Sequence, residues 1–344
     1  MKTLHIHGRA GRSTLIVGET LSRLDQYTPK RRTVIITDPV VNDRYGDRFP
    51  DWPVIEIGVG EGSKTLQTVS DIYGRLIEME ADRSTWIVGI GGGIVCDVAG
   101  FAASTYMRGV GFGFVPTTLL AQVDASVGGK NGVNFLGYKN MVGTFNQPEF
   151  VICDTGMLKT LTGPDLLCGF AEIVKHGAIA DPALFQFIED SWREALALDP
   201  STIERMVYDS IVVKSGIVNE DEQERGVRRK LNFGHTFGHA VEKIAGVRHG
   251  EAVSVGMAVA SLLSVKKGYL AREEAKRIIH LLEKIGLPTR LAVDPQSAMD
   301  ALKRDKKREG DRIRFVLLKR IGEAVVEDIR ITDLDEALHD LARE

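Results

Sequence analysis

In the first half of the chain, short apolar runs alternate with turn residues and amphipathic stretches. Thr33–Thr37 (TVIIT), Val54–Gly58 (VIEIG), Trp86–Ile90 (WIVGI), Phe112–Val115 (FGFV) and Phe150–Cys153 (FVIC) are predicted as buried strands. Ser63–Glu80 places Leu66, Val69, Ile72, Tyr73, Leu76 and Ile77 at helical spacing. Strands that alternate with helices need crossover connections, so the expected sheet is mostly parallel.

Beyond about Thr155 the period changes. Gly163–Ala180, Pro182–Leu196, Ser201–Glu220, Arg229–Ala245, Glu251–Tyr269 and Glu273–Ile285 read as helices, and Ile313–Leu318 with Ala324–Glu327 reads as a hairpin. The predicted layout is an α/β, Rossmann-like N-terminal domain over residues 1–155 and a mainly α-helical C-terminal domain over residues 156–344. A cleft between two such domains is where a small ligand is expected.

Composition excludes several classes. A length of 344 residues allows each half a core of its own. The net charge of -3, with acidic and basic residues interleaved, argues against a nucleic-acid or membrane-surface partner. Cys96, Cys153 and Cys168 are too scattered for a disulfide framework or a CxxC metal site and are read as core thiols. The start, MKTLHIHGRAG, lacks the apolar block of a signal peptide, and no stretch reaches bilayer length. The expected compartment is the cytoplasm.

Candidate chemistry begins at Gly91-Gly92-Gly93, between the strand at Trp86–Ile90 and the helical segment IVCDVAGFAAS. Strand, glycine turn and helix N-terminus make an anion site, because bare N–H groups and the helix dipole face a phosphate. The dinucleotide fingerprint fails, since its last glycine would fall on Ile94 or Cys96, so the turn alone names no nucleotide. GVGEGSKT, from Gly58 to Thr65, lacks phosphate-loop spacing, which excludes an NTPase. Thr117 and Thr118 follow Pro116 at another strand end and serve a ligand or cap a helix.

In the second half, FAEIVKHG puts Glu172 and Lys175 on one helical face. His235 and His239 are four apart, and His249 precedes Gly250-Glu251 at the start of the next helix. A carboxylate and imidazoles suit Zn2+, although spacing leaves open which two histidines bind it. No Glu follows His235, so a zinc-protease motif is excluded. Arg108, Lys130, Lys139, Lys214 and Arg228, with Asp124 and Asn140, stand in glycine-rich or apolar surroundings and suggest an anionic substrate.

Together these segments resemble the 3-dehydroquinate synthase family of the sugar-phosphate cyclases, from about Thr33 to Arg320. The resemblance rests on EGSKT, GGGIVCDVAGFAAS, PTTLLAQVDASVGGKNGVN, KNMVGTF, AEIVKHG, LNFGHTFGHAVE, HGEAV and RDKK. It implies a dehydroquinate synthase-like fold with Zn2+ or Co2+ on Glu172, His235 and His249, while His239 meets the substrate. It implies an NAD loop at Gly91, Gly92, Gly93 and Asp97. Asp38, Glu61, Gly62, Ser63, Lys64, Thr117, Thr118, Lys130, Lys139 and Thr160 are the further NAD contacts. The implied substrate pocket holds Asp124, Lys130, Asn140, Lys175, Lys214, Arg228, Asn232 and His239. Arg108 is implied to reach the phosphate across a homodimer interface, and one lysine of Lys306-Lys307, by preference Lys306, to meet it as well. Val40, near Asp38, departs from an asparagine common in the family, and the loop between His239 and His249 is shorter than usual.

The implied reaction converts 3-deoxy-D-arabino-heptulosonate 7-phosphate into 3-dehydroquinate and phosphate, a lyase step of the shikimate pathway to aromatic amino acids. NAD is regenerated in each turnover. One rival is an NAD-linked, metal-dependent polyol dehydrogenase, which usually carries aspartate where Glu172 stands. Another is a sister cyclase such as 2-deoxy-scyllo-inosose synthase. Lys214, Arg228 and Asn232 form the set expected for the substrate carboxylate and favour the heptulosonate.

Overall fold

The computed structural model describes residues 1–9, 11–29, 32–290, 297, 300, 308–309 and 312–334, with 308–309 described by backbone alone. They form two compact units. The first is Met1–Thr162 with Lys214–Gln223, and the second is Gly163–Val213 with the described residues from Glu224 onward.

The first unit holds β1 (Lys2–Gly8), β2 (Gly11–Val17), β3 (Thr33–Thr37), β4 (Val54–Glu56), β5 (Trp86–Gly91), β6 (Gly111–Pro116), β7 (Lys130–Phe135), β8 (Tyr138–Phe145) and β9 (Phe150–Cys153). Its helices are α1 (Pro39–Tyr45), α2 (Leu66–Glu78) and α3 (Gly93–Thr105). Seven strands join in the order β1-β2-β9-β6-β5-β3-β4. Only β1 and β2 run antiparallel; the other neighbours are parallel, as the alternation of strands and helices requires. Every residue of β3 is buried, which is why it reads as an unbroken apolar run rather than an alternating one. Ile16, Leu21, Ile35, Val88, Ile90, Val115 and Ile152 build the core around it.

Helix α2 starts at Leu66 rather than at Ser63. Thr65 Oγ1 accepts the Thr68 N–H at 3.1 Å and caps the helix there, while Glu61–Ser63 forms a separate 3-10 turn. Two hairpins lie outside the strand runs predicted above. β1 is mostly exposed, and β7 (KNGVNF) carries Asn and Gly, which are weak strand formers.

The second unit contains α4 (Gly163–Ala180), α5 (Pro182–Leu196), most of α6 (Pro200–Glu220), α7 (His235–Ala245), α8 (His249–Lys266) and α9 (Arg272–Ile285). A small antiparallel sheet follows, of β10 (Arg308–Glu309), β11 (Arg312–Arg320) and β12 (Glu323–Arg330). The helix predicted over Arg229–Ala245 is broken. Val227–Asn232 is a 3-10 turn, and Gly234, at φ +78°, turns the chain before α7 starts at His235.

The units divide after Thr162, not at 155/156. Tyr45 Oη donates to Met157 O at 3.0 Å and Arg44 Nη1 to Thr160 O at 3.1 Å, which holds that turn to α1 of the first unit. Residues 214–223 join the first unit for a similar reason. Asn219 Oδ1 accepts the His7 N–H at 2.9 Å, and Glu222 Oε2 accepts the Arg9 N–H at 2.7 Å. No helix among the described residues is long and apolar enough to cross a membrane.

Candidate active site

In the second unit, helix α4 is buried over most of its length, and Glu172 has no solvent exposure. Helices α7 and α8 bring two imidazoles to it. The His249 Nε2 lies 3.2 Å and the His235 Nε2 3.6 Å from Glu172 Oε1. Glu172 Oε2 faces the ammonium of Lys175, one turn further along α4 and itself buried.

Close backbone packing sets this geometry. A Cβ on Gly256 of α8 would lie 1.8 Å from the Gly234 carbonyl oxygen, so glycine lets the start of α7 approach α8. His235 and His249 each open their helix, and their ring centroids stand 5.4 Å apart.

The donor atoms of Glu172, His235 and His249 lie within 4.8 Å of one another. A carbonyl can only accept, so His235 Nδ1 donates to Phe233 O at 3.1 Å and leaves the Nε2 lone pair facing Glu172. Burial and then the Lys175 charge hold His235 well below its ordinary pKa, and therefore neutral. Burial raises the Glu172 carboxyl, but Lys175, His235 and His249 outweigh it and keep the group well below the usual carboxylate range. An ionised carboxylate, the neutral His235 and the His249 ring converging on one point fit a divalent metal such as Zn2+. Of the three histidines, His235 and His249 meet Glu172, whereas His239 sits one turn along α7, exposed and edge-on to His235, outside this cluster.

Arg228 lies in the turn Val227–Asn232 and is only 3% exposed, while Arg229 and Lys230 beside it are half-buried. Asn232 Nδ2 donates to Glu224 Oε1. Glu224 is a residue that sequence reasoning missed. It belongs to an acidic stretch that reads as a solvated turn, yet its side chain is half-buried and its backbone takes φ +58°.

In the first unit Gly91 closes β5, Gly92 caps α3 and Gly93 opens it. Thr117 N donates to Gly91 O at 2.9 Å and ties the end of β6 to the turn. A Cβ on Gly93 would stand 3.0 Å from the Ala125 Cβ, so the turn is tightly packed from behind. Thr118 Oγ1 accepts the Ala121 N–H at 3.1 Å and so acts as a local cap.

Asp97, on the first turns of α3, pairs with Lys64, whose ammonium also donates to Asn140 Oδ1 at 2.6 Å. Burial pushes the Asp97 carboxyl up to about 6, against the opposing pull of Lys64. Glu61 Oε1 accepts from Asn134 Nδ2 at 2.7 Å, and Ser63 Oγ donates to Gly60 O at 2.7 Å, while Gly62 meets open space. Asp38 caps α1 through the Val41 N–H at 3.0 Å, and Thr160 shares a 2.7 Å hydrogen bond with the Tyr45 hydroxyl.

Lys214 Nζ donates to Asp124 Oδ1 at 2.5 Å and to Asp124 O at 2.6 Å. Asp124 lies in a single wide π turn, Ala121–Ala125, a helical irregularity often found at functional sites. Lys130 and Lys139 are exposed on the β7–β8 hairpin, and Arg108 is exposed at φ +71° after α3. Lys306 and Lys307 lie outside the described residues.

The whole architecture is that of a sugar-phosphate cyclase. A 2-deoxy-scyllo-inosose synthase complexed with carbaglucose-6-phosphate, NAD+ and Co2+ matches with a TM-score of 0.88 and 29% identity, over 98% of this chain and all of that one. A 2-epi-5-epi-valiolone synthase from Streptomyces hygroscopicus subsp. jinggangensis 5008, with NAD+ and Zn2+ bound, matches with a TM-score of 0.86 and 27% identity over 96% of each chain. Within that class the profile for the 3-dehydroquinate synthase N-terminal region matches residues 54–167, and the C-terminal profile matches residues 169–308. A 3-dehydroquinate synthase from Dehalococcoides mccartyi is 41% identical over 338 residues, covering 95% of this chain and 94% of the relative. The chain belongs to the 3-dehydroquinate synthase family.

Proposed function

We propose that this chain is a 3-dehydroquinate synthase, converting 3-deoxy-D-arabino-heptulosonate 7-phosphate into 3-dehydroquinate and phosphate. The observation that carries the reading is agreement with a 3-dehydroquinate synthase at 41% identity over 95% of the chain, against 29% for the inosose synthase. Glu172, His235 and His249 hold a divalent metal, and the Gly91–Gly93 turn with Glu61, Lys64 and Asp97 holds NAD. Bound metal supplies Lewis acidity at the substrate C5 hydroxyl, and bound NAD+ supplies a reversible hydride acceptor.

The chain's own groups then position charge. Lys175 keeps Glu172 ionised, and the Nδ1 bond of His235 keeps its tautomer. Lys214, Arg228 and Asn232 take the substrate carboxylate. Lys130, Asn140, Asp124 and His239 line the rest of the pocket, and Arg108 and Lys306 take the phosphate. The same reading makes the enzyme a cytoplasmic homodimer in which Arg108 serves the partner's site.

The test is to mix the protein with the heptulosonate phosphate, a trace of NAD+ and Zn2+ or Co2+, and to measure free phosphate. Phosphate far exceeding the NAD+ added, with no NADH accumulating, is the expected result. Stoichiometric NADH would make the protein a dehydrogenase instead.

A further inference from the structure

One side chain outside both the cofactor and substrate sets touches members of each. Asn134, half-buried on β7, donates from Nδ2 to Glu61 Oε1 at 2.7 Å and accepts the Asn140 N–H on Oδ1 at 2.9 Å. Its own backbone N–H donates to Lys64 O at 2.9 Å, beside a parallel bridge to Thr65. The amide can point only one way, because a carboxylate only accepts and a backbone N–H only donates.

These bonds close a ring. Lys64 holds Asn134 through its carbonyl, Asn134 holds the backbone of Asn140, and the Asn140 side chain returns to the Lys64 ammonium at 2.6 Å. Lys64 in turn pairs with Asp97 on α3. Asn140 sits at φ +52°, in the left-handed region that Asn tolerates better than other residues with a Cβ, and its backbone N–H is aimed at the Asn134 side chain. The Asn134 amide oxygen fixes that stretch of backbone by accepting this N–H.

We infer that Asn134 is a positioning residue that couples the nucleotide side of the site, Glu61, Lys64 and Asp97, to Asn140 on the substrate side. The inference rests on the NAD-dependent synthase reading above. Because coupling is reciprocal, heptulosonate phosphate bound near Asn140 tightens NAD+, and NAD+ tightens it equally.

The experiment is a double-mutant cycle read as NAD+ dissociation constants, with metal present, without and then with the heptulosonate phosphate. Asn134→Asp is almost isosteric and still accepts from Asn140, but it sets a second carboxylate against Glu61. It is expected to weaken NAD+ by roughly ten-fold, the effect of losing one charge-assisted hydrogen bond. Asn134→Asp with Glu61→Gln restores a complementary pair with the roles exchanged, so the double variant should lose less than the product of the single losses. Asn134→Ala, which adds no charge, covers the case in which Asn134→Asp does not fold, and in it the substrate should no longer tighten NAD+. Multiplicative losses in the cycle, or unchanged coupling in Asn134→Ala, overturn the inference while the synthase reading stands. A wild-type protein that binds no NAD+ overturns both.

Discussion

Arg228, Arg229 and Lys230 share one 3-10 turn, and Arg228 is the buried one of the three, at 3% exposure. A buried guanidinium is retained where it meets an anion, and a planar carboxylate matches its fork with two parallel hydrogen bonds. Lysine keeps the charge and loses the fork, so Arg228→Lys should lower kcat/KM roughly ten- to hundred-fold. Metal content should not change, since Glu172, His235 and His249 are untouched. A variant with wild-type steady-state kinetics would withdraw Arg228 from the carboxylate. Residue identity had already singled Arg228 out, but its burial could not be read from GVRRK. Glu224 shows the opposite case. Its neighbours are acidic, as on a solvated face, and only the fold brings it to Asn232 eight residues on.

At the scale of elements, the metal cluster depends on how closely α7 and α8 pack. The atom that a Gly256 Cβ would meet at 1.8 Å is a backbone oxygen, which no rotamer change can move. Gly256→Ala must therefore push the start of α7 away from α8, with the cost of an overpacked core, about 1–3 kcal/mol. His235 opens α7 and His249 is carried on α8, so Zn2+ affinity should fall along with the melting temperature. Gly216 in α6 is the control, because a Cβ there meets nothing within 4 Å. Gly216→Ala should be neutral or stabilising by up to about 1 kcal/mol. Equal effects at the two positions in thermal melts and Zn2+ titrations would refute the packing argument. The apolar runs forecast β3, β5, β9 and α4 to within a residue, because burial on both faces leaves a continuous signal. They could not forecast the break at Gly234, since periodicity registers faces and not a left-handed backbone. Nor did they forecast β7 and β8, whose polar sequence becomes strand only by pairing.

At the scale of the molecule, the change of period near Thr155 gave two units but not their membership. Residues 214–223 group with the first unit through hydrogen bonds from the end of β1 and the residue after it, more than two hundred positions away, which leave no mark in local sequence. The resulting partition has a consequence for binding. Every residue assigned to NAD, from Asp38 to Thr160, falls within Met1–Thr162, and all three proposed metal ligands fall in the second unit. Each ligand alone should then stabilise the unit that holds its site, by about 2.7 kcal/mol at a hundred-fold excess over its Kd. Hydrogen exchange resolves this by segment. Zn2+ alone should slow exchange in α4, α7 and α8. NAD+ alone should slow it in the turn Glu61–Ser63 and at the start of α3. Chelation should abolish phosphate release and leave the NAD+ dissociation constant nearly unchanged. If NAD+ alone protected α7 and α8 as strongly as α3, or if chelation abolished NAD+ binding, the two sites would not be built independently and this assignment of ligands to units would fail.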